Sequence, residues 1–595
     1  MRVNPLSKYL LSIFFILAFA STPLLAQRSS QGEDGRLCGE TSSQPNVIII
    51  LTDDQGYGDV SAHGSPVLKT PETDKLRSES VHFSDFHVAP MCTPTRGQLM
   101  TGMDAMKTGA TAVCQGRSMI RNELKLMPEY FADAGYATGM FGKWHLGDSY
   151  PHRPRFRGFQ EVLSHRAWGI TSLADYWGNT YFDPVLMRNG VDTRFKGYST
   201  DIFFNEAMKW IDKCVEADKP FFLYLPTNTP HVPEIVAEEY SKAYQGKYKG
   251  KPIPAKFYGM IANIDENVGK LEAFLKERGL KDNTIFIYFT DNGTQNRLAM
   301  NIFNAGMRAK KTSVYEGGHR VPLFIRWNDG KLQHGKDISD LTQVQDILPT
   351  LVDLCDLDAD KSEFDGASLS GLLKGKQKAL PERMCVVQYR ISGEKWDPAV
   401  VMNDKWRLVN GVELYNVAKD PSQEQNVIEK FPEMAKSMSD HYDAWYTDAK
   451  KLFDKKRHII VGSKTANPVR LYSSDWDGGY CDNPKGLKAA NTTGFYNLEV
   501  ARAGEYEFEL RRWSEESAKH LTDSYDGITE EGARPIAKAR LRIAGGEEVV
   551  DVDPLSSAVK FRTNLKKGNN VLWAEFLDAQ GELLCGAIYV KVSRL

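Results

Sequence analysis

The chain has 595 residues, enough for several domains, and its 75 Lys plus Arg against 77 Asp plus Glu give a formal net charge of −2. That balance creates no whole-molecule field for nucleic acid or an anionic membrane, so an anionic ligand must be drawn in by local residues. Aromatic residues make up 11% of the chain, ample for large cores and for surfaces that stack on sugars.

In chain order, Arg2 and Lys8 precede the apolar run YLLSIFFILAFA, which reads as a signal peptide cleaved after Ala20 or Ala26. The run is short for a membrane anchor, and no later stretch is long and apolar enough to span a bilayer, so a periplasmic or secreted protein is expected. Residues 27–45 read as a polar leader. NVIIIL (46–51) is then a continuous apolar run of strand length, and similar runs follow at 136–141, 221–225, 284–290 and 321–327. Helical patterns lie between them at 125–135, 200–217, 256–279 and 341–354. Apolar strands alternating with helices predict an α/β fold with a largely parallel central sheet covered on both faces. This catalytic region is taken as 46–375. From 376 to 455, CVVQYR, AVVMNDKWRLVN and VELYNV predict a small sheet, followed by a helix from PEMAKSMSDHYDAWYTDAKKLF. From 456 to 595, short strands separated by Gly, Asn and Asp turns predict an appended antiparallel β-sandwich, with Trp573 in its core and Trp476 and Trp513 as either core or sugar platforms. The eight cysteines are widely and irregularly spaced, which fits buried small apolar groups better than a disulfide framework.

In open α/β sheets ligands bind beyond the carboxyl ends of the strands, and polar residues collect there. NVIIIL is followed by Thr52, Asp53, Asp54 and Gln55, and 136–141 by Lys143, Trp144 and His145. The 221–225 run leads to Asn228 and His231, and the 284–290 run to Asp291, Asn292 and Gly293. Adjacent Asp53 and Asp54 repel each other and suit a hard divalent cation; with Asp291 and Asn292 they form an oxygen set appropriate to Ca²⁺ or Mg²⁺ rather than Zn²⁺. Singly, each pattern also fits an ordinary turn, and each histidine an ordinary histidine. In MCTPTRG (91–97), Pro94 fits the first turn of a helix that Gly102 ends. Cys92 then stands at the helix N-terminus, where free N–H groups favour an anion, with Arg96 one turn on.

These residues resemble the type I, formylglycine-dependent sulfatases of the alkaline phosphatase superfamily. CTPTRG resembles their Cys-x-Pro-Ser/Thr-Arg signature, with Thr95 in place of the commoner Ser. NVIIILTDDQGYGD, GYATGMFGKWHLG, TNTPHVP, FTDNG, KKTSVYEGGHRVP, DILPTLVDL and ELYNVAKDPSQEQNV resemble further blocks in family order, from about 45 to 450. The resemblance implies a sulfuric ester hydrolase. In it Cys92 is converted to formylglycine by a maturase and joins Asp53, Asp54, Asp291 and Asn292 at a metal, usually Ca²⁺. It implies that Arg96 and Lys143 hold the modified residue and the sulfate, that His145 assists the second hydroxyl of the hydrated aldehyde, and that His231 and Lys311 face the leaving oxygen. Specificity is expected from HRPRFRGF (152–159), whose Arg157-Gly158-Phe159 fits a structural corner, and from the aromatic 166–184, with His152, Trp168 and Asp175 as substrate-binding candidates. A sulfated saccharide is the favoured substrate. The alternatives are small aryl sulfates, phosphoesters or phosphonates, and a non-catalytic carbohydrate-binding protein that uses the sandwich.

Overall fold

The structure is a computed structural model that describes residues 44–595; the segment read as a signal peptide, most of the stretch read as a leader, and Cys38 lie outside the described residues. The NVIIIL run has no polar face because it lies at the centre of a ten-stranded sheet. Val47, Ile49 and Leu51 pack into one core, with Phe131, Leu99 and Leu348, and Ile48 and Ile50 pack into the opposite core, with Phe203, Phe204 and Val268. Burial of both faces is what a continuous apolar strand encodes. The Asn46–Thr52 strand pairs in parallel with Thr284–Thr290 on one side and Phe221–Pro226 on the other, and Phe221–Pro226 pairs in parallel with Ala137–Gly142. Four neighbouring strands therefore end on the same edge. Helices Ser199–Glu216 and Ala255–Glu277 cover one face, and Cys92–Thr101, Met127–Asp133 and Ile347–Cys355 the other.

The strand read at 321–327 forms at Leu323–Arg326 but runs antiparallel to Thr284–Thr290. A parallel return needs a crossover connection, usually a helix. Here residues 291–322 stay at the site end of the sheet, so the chain re-enters from the edge it left. Val185–Arg188 and Val191–Arg194 add an antiparallel pair at the far edge.

The next segment, read as a small sheet, forms a four-stranded antiparallel one, Cys385–Gln388 to Glu413–Asn416, with helix Pro432–Phe453 packed on it through Met438 and Tyr442. Beyond it, seven-stranded and four-stranded sheets face each other across a core containing Trp476, Leu498, Phe508, Trp513, Phe576 and Val592. The pairing is antiparallel except between Ile459–Val461 and Gly494–Val500. Trp476 and Trp513 are fully buried and are core. Trp573 is only half-buried: Leu572, Ala574 and Phe576 take the inward positions of its strand, so alternation turns Trp573 outward, against Phe495 and under Arg542. Met119 and Leu173 of the preceding region belong to the sandwich core, and Asp475 Oδ2 accepts from the Asp148 and Ser149 N–H groups, so the sandwich is docked on the rest of the protein.

The seven described cysteines are buried and unpaired. No helix among the described residues is long and apolar enough to cross a membrane. Trp476→Ala removes a fully buried indole and is expected to cost about 3–5 kcal/mol. Chemical denaturation checks this, and a loss below about 1 kcal/mol contradicts the assignment of Trp476 to the core.

Candidate active site

The four aligned strand ends deliver Asp53 and Asp54, Asp291 and Asn292, Lys143 and His145, and Asn228 to His231 to one place. Their convergence needs close backbone approach. Gly142 has φ 135°, and a Cβ there would meet the Pro226 carbonyl oxygen at 1.8 Å. A Cβ on Gly293 would meet the Gly317 carbonyl oxygen at 1.9 Å, while the Gly293 N–H donates to the Gly318 carbonyl and ties the Asp291–Asn292 loop to the Glu316–His319 turn. Asp54 and His145 hold positive φ, 73° and 58°, a conformation costing about 1–3 kcal/mol each that the packing around them imposes.

Cys92 opens the Cys92–Thr101 helix, and Gly102 closes it at φ 68°, as the motif predicts. Arg96 is fully buried; it donates to Asp291 Oδ2 at 2.7 Å and to the Lys143 carbonyl at 2.9 Å. Lys143 Nζ lies 2.7 Å from Asp53 Oδ2, and Lys311 Nζ pairs with Asp54 Oδ1, which also accepts from Asn292 Nδ2 at 2.8 Å. Three oxygens in this cluster are buried yet accept no hydrogen bond: Asp53 Oδ1, Asp54 Oδ2 and Asn292 Oδ1. Unpartnered buried oxygens occur elsewhere among the described residues too, but these three stand together in one cluster of carboxylates, which makes it a candidate cation site. Ligand atoms of Asp53, Cys92 and Asp291 lie within 4.8 Å of one another. The donors are mainly carboxylate and amide oxygens, the set a hard divalent ion prefers. A second buried group, His87, Glu316 and His319, is self-saturated. Glu316 pairs with Arg407 and Arg320, while His87 contacts His319 at 2.8 Å and Asp85 at 3.0 Å.

The electrostatics follow from burial against these charges. Burial opposes ionisation of Asp54, but Lys311, His231 and Lys143 outweigh it and hold the carboxyl below its ordinary range. Burial and the neighbouring Asp53 push Asp291 up to about 7 against the pull of Arg96. Burial raises the Cys92 thiol, so an unmodified Cys92 is protonated at neutral pH. Burial, with Lys143 adding, keeps His145 well below its ordinary value, hence neutral. Its Nε2 lies 3.0 Å from the Val113 carbonyl, which can only accept; Nε2 therefore carries the proton, and Nδ1 faces Cys92 Sγ at 3.5 Å as an acceptor. His231 Nδ1 donates to the Val232 carbonyl at 2.7 Å, leaving Nε2 toward Asp54 Oδ2 at 3.6 Å; burial lowers its pKa to about 3.

All ten strand-end and helix residues expected at the site thus lie in one contact network. The three substrate candidates diverge. Trp168 stands beside His231, its ring centroid 5.2 Å away. His152 has no exposed surface and its Nε2 meets the His458 carbonyl at 3.3 Å, so it packs the interior and has nothing to offer a substrate. Asp175 is also buried; its Oδ2 accepts from Asn179 Nδ2 and the Thr171 N–H and closes the local loop. Arg157 is the corner expected, donating to the Leu124 carbonyl.

Sequence reasoning missed a cleft of about 470 Å³ at the mouth of the site, lined by Met91, Val113, Thr312, Tyr389, Arg390 and Tyr480 among others. Met91 and Thr312 adjoin Cys92 and Lys311, and the Tyr389 hydroxyl holds the Thr312 carbonyl at 2.5 Å. Arg390 has φ 113°, an unusual conformation for a non-glycine residue and the only local sign of a special role. Tyr480 comes from the sandwich region, so no spacing within the catalytic region announces it.

Comparison with known proteins agrees with this geometry. The sulfatase family model matches residues 45–357, and that of the N-sulphoglucosamine sulphohydrolase C-terminal region matches 308–444. Human arylsulfatase A is 29% identical over 366 residues, covering 56% of this chain and 69% of that protein. Mouse N-acetylgalactosamine-6-sulfatase is 27% identical over 386 residues, covering 58% and 70%. The crystal structure of Ps i-CgsB in complex with k-i-k-neocarrahexaose superposes with a TM-score of 0.62 at 28% identity, covering 68% of this chain and 94% of that one.

A divalent cation must displace the proton that burial leaves on Asp291, so its affinity is expected to fall as pH drops below about 7 and its binding to release protons there. Calorimetry in buffers of different ionisation enthalpy checks this; an affinity unchanged between about pH 6 and about pH 8.5 contradicts it. Asp291→Ala is expected to lower metal-dependent activity at least about 100-fold; a variant that keeps full, chelator-sensitive activity places the metal elsewhere, and activity that survives chelation contradicts a metal requirement.

Proposed function

The chain belongs to the sulfatase family, and from that premise we propose that it removes sulfate from a sulfated carbohydrate using a formylglycine made from Cys92 and a calcium ion. It is a sulfate-ester hydrolase; the saccharide, the ion and the modification are the proposal. The observation that carries it is the set of three unpartnered buried oxygens beside a buried, unpaired cysteine at a helix N-terminus.

Asp53, Asp54, Asp291 and Asn292 would hold the ion with the side chain at position 92. When bound, the ion supplies Lewis-acid polarisation, and formylglycine supplies two hydroxyls on one carbon where the thiol has none. The chain's own residues do the rest. Arg96, Lys143 and Lys311 surround the nucleophile position with positive charge for the sulfate oxygens. Their ion pairs to Asp291, Asp53 and Asp54 fix these cations before substrate arrives. His145 Nδ1, unprotonated and directed at position 92, accepts a proton there. His231 presents Nε2 to the site, and an arriving sulfate monoanion favours its charged form, so that it protonates the departing alcohol. Trp168, beside His231 with its ring tilted to the imidazole, offers a face for the sugar that leaves.

The N-acetylgalactosamine-6-sulfatase and the neocarrahexaose complex support a saccharide substrate. The signal-like N-terminus supports export, where polysaccharide is met. A formylglycine-generating maturase is the implied partner.

In active protein, the peptide containing Cys92 is expected to have lost its thiol mass and to react with aldehyde probes; a fully unmodified Cys92 in active enzyme sinks the nucleophile assignment. Matched sulfate and phosphate esters are expected to show turnover at least about 100-fold in favour of sulfate, and a reversed preference would make it a phosphohydrolase.

A further inference from the structure

We propose that the cleft between the Arg153–Phe156 segment and the edge of the sandwich is a second anion-binding site. Its ligand is an oxyanion on the saccharide, a sulfate or carboxylate on a sugar other than the one being desulfated. This deepens, and rests on, the carbohydrate-sulfate reading above.

The cleft measures about 350 Å³ and is lined by Arg153, Arg155, Arg166 and Arg470, with Asp192 the one acidic residue in the lining. Two of these arginines are balanced. Arg166 pairs with Asp192 at 2.6 Å, and Arg470 with Glu515 at 2.9 Å and Glu516 at 3.5 Å. The other two form no ion pair with a carboxylate among the described residues. Arg153 donates to the Asp148 carbonyl, to Met187 Sδ at 3.8 Å and to the Tyr472 hydroxyl at 3.3 Å; Arg155 donates to the Asn189 carbonyl at 2.6 Å. Neutral acceptors orient a guanidinium without cancelling its charge; the buried Asp148 carboxyl also interacts with Arg153, whereas Arg155 is exposed and is the guanidinium most free to meet a ligand in the cleft. Arg166 is 8% exposed, and its Nε finds no hydrogen-bond partner. A donor left open at the wall of a cleft is available to an acceptor on a ligand. Guanidinium groups match the planar edges of sulfate and carboxylate.

Tyr150, Phe156 and Tyr472 add aromatic faces that suit pyranose rings. About half of the lining comes from residues 465–472, so the cleft exists only because the sandwich is docked on the catalytic region. Arg166 is two residues from Trp168, which places their α-carbons within about 8 Å of each other. The chain thus runs directly from the cleft wall to Trp168, and a saccharide that uses both must be long enough to extend from Trp168 to the cleft.

The test uses the matured full chain and two variants, Arg155→Ala and Arg153→Ala/Arg155→Ala. Sulfate release is measured from p-nitrophenyl sulfate and from two size series of oligosaccharides, one multiply sulfated and one bearing uronate carboxylates with sulfate only at the cleaved position. For the longer members of at least one series, the double variant is expected to raise KM about 10-fold with kcat unchanged. Turnover of p-nitrophenyl sulfate is expected to stay within about twofold, which also reports an intact fold. The series that responds identifies the oxyanion. Binding of the same oligosaccharides to Cys92→Ala protein, with and without the arginine changes, reads the cleft without turnover. A dissociation constant unchanged by the double substitution for every oligosaccharide overturns the second site while leaving the sulfatase reading intact. An equal loss on p-nitrophenyl sulfate also overturns it. Absence of sulfate release from any ester by the matured wild type overturns the catalytic reading instead.

Discussion

Charge compensation in a buried site is the constraint on which the rest of the structure depends. Asp53, Asp54 and Asp291 lie in the interior together with Arg96, Lys143 and Lys311. Isolated charges at this depth are prohibitively costly, so the carboxylates must be matched by cations. The three cations are paired with the three carboxyl groups before any ligand arrives, and a proton on Asp291 is what a divalent ion would displace. A divalent ion on the unpartnered oxygens then leaves an excess of positive charge that an anionic ester relieves. The selectivity for an anion is therefore local, as the near-neutral composition requires.

That cluster dictates the scaffold. Four parallel strands must end in register to bring residues separated by more than 200 positions within hydrogen-bond reach, as between Asp54 and Asp291. Gly142 and Gly293 permit the backbone contacts this requires, and the buried Glu316–Arg407 pair fastens the C-terminal sheet behind the Asp291–Asn292 loop. The same docking brings Tyr389, Arg390 and Tyr480 into one cleft with Met91 and Thr312, the neighbours of Cys92 and Lys311.

Much of this was legible in the sequence, for identifiable reasons. Strands buried on both faces must be apolar throughout, which exposes their ends, and polar residues after such ends are where α/β folds place chemistry. The helix at MCTPTRG was legible because Pro94 and Gly102 bracket it. The antiparallel return of Leu323–Arg326 was not, because strand direction depends on where the intervening loop folds. Trp573 alternated as read, but alternation alone does not say which parity faces inward. His152 and Asp175 were chosen for residue type near a plausible loop, and type does not report burial. Tyr389, Arg390, Tyr480 and the Arg166 cleft arise from contacts between distant segments, which leave no local period or spacing.

The central claim is that the orphaned oxygens of Asp53, Asp54 and Asn292 form a cation site facing position 92. The most direct measurement is a crystal structure of the matured protein grown with calcium, with the ion located by its anomalous scattering. One ion is expected at about 2.3–2.6 Å from Asp53 Oδ1, Asp54 Oδ2 and Asn292 Oδ1, with the modified residue 92 completing its shell. An ion bound elsewhere, or those oxygens occupied by lysine or water with no metal present in active enzyme, would contradict it.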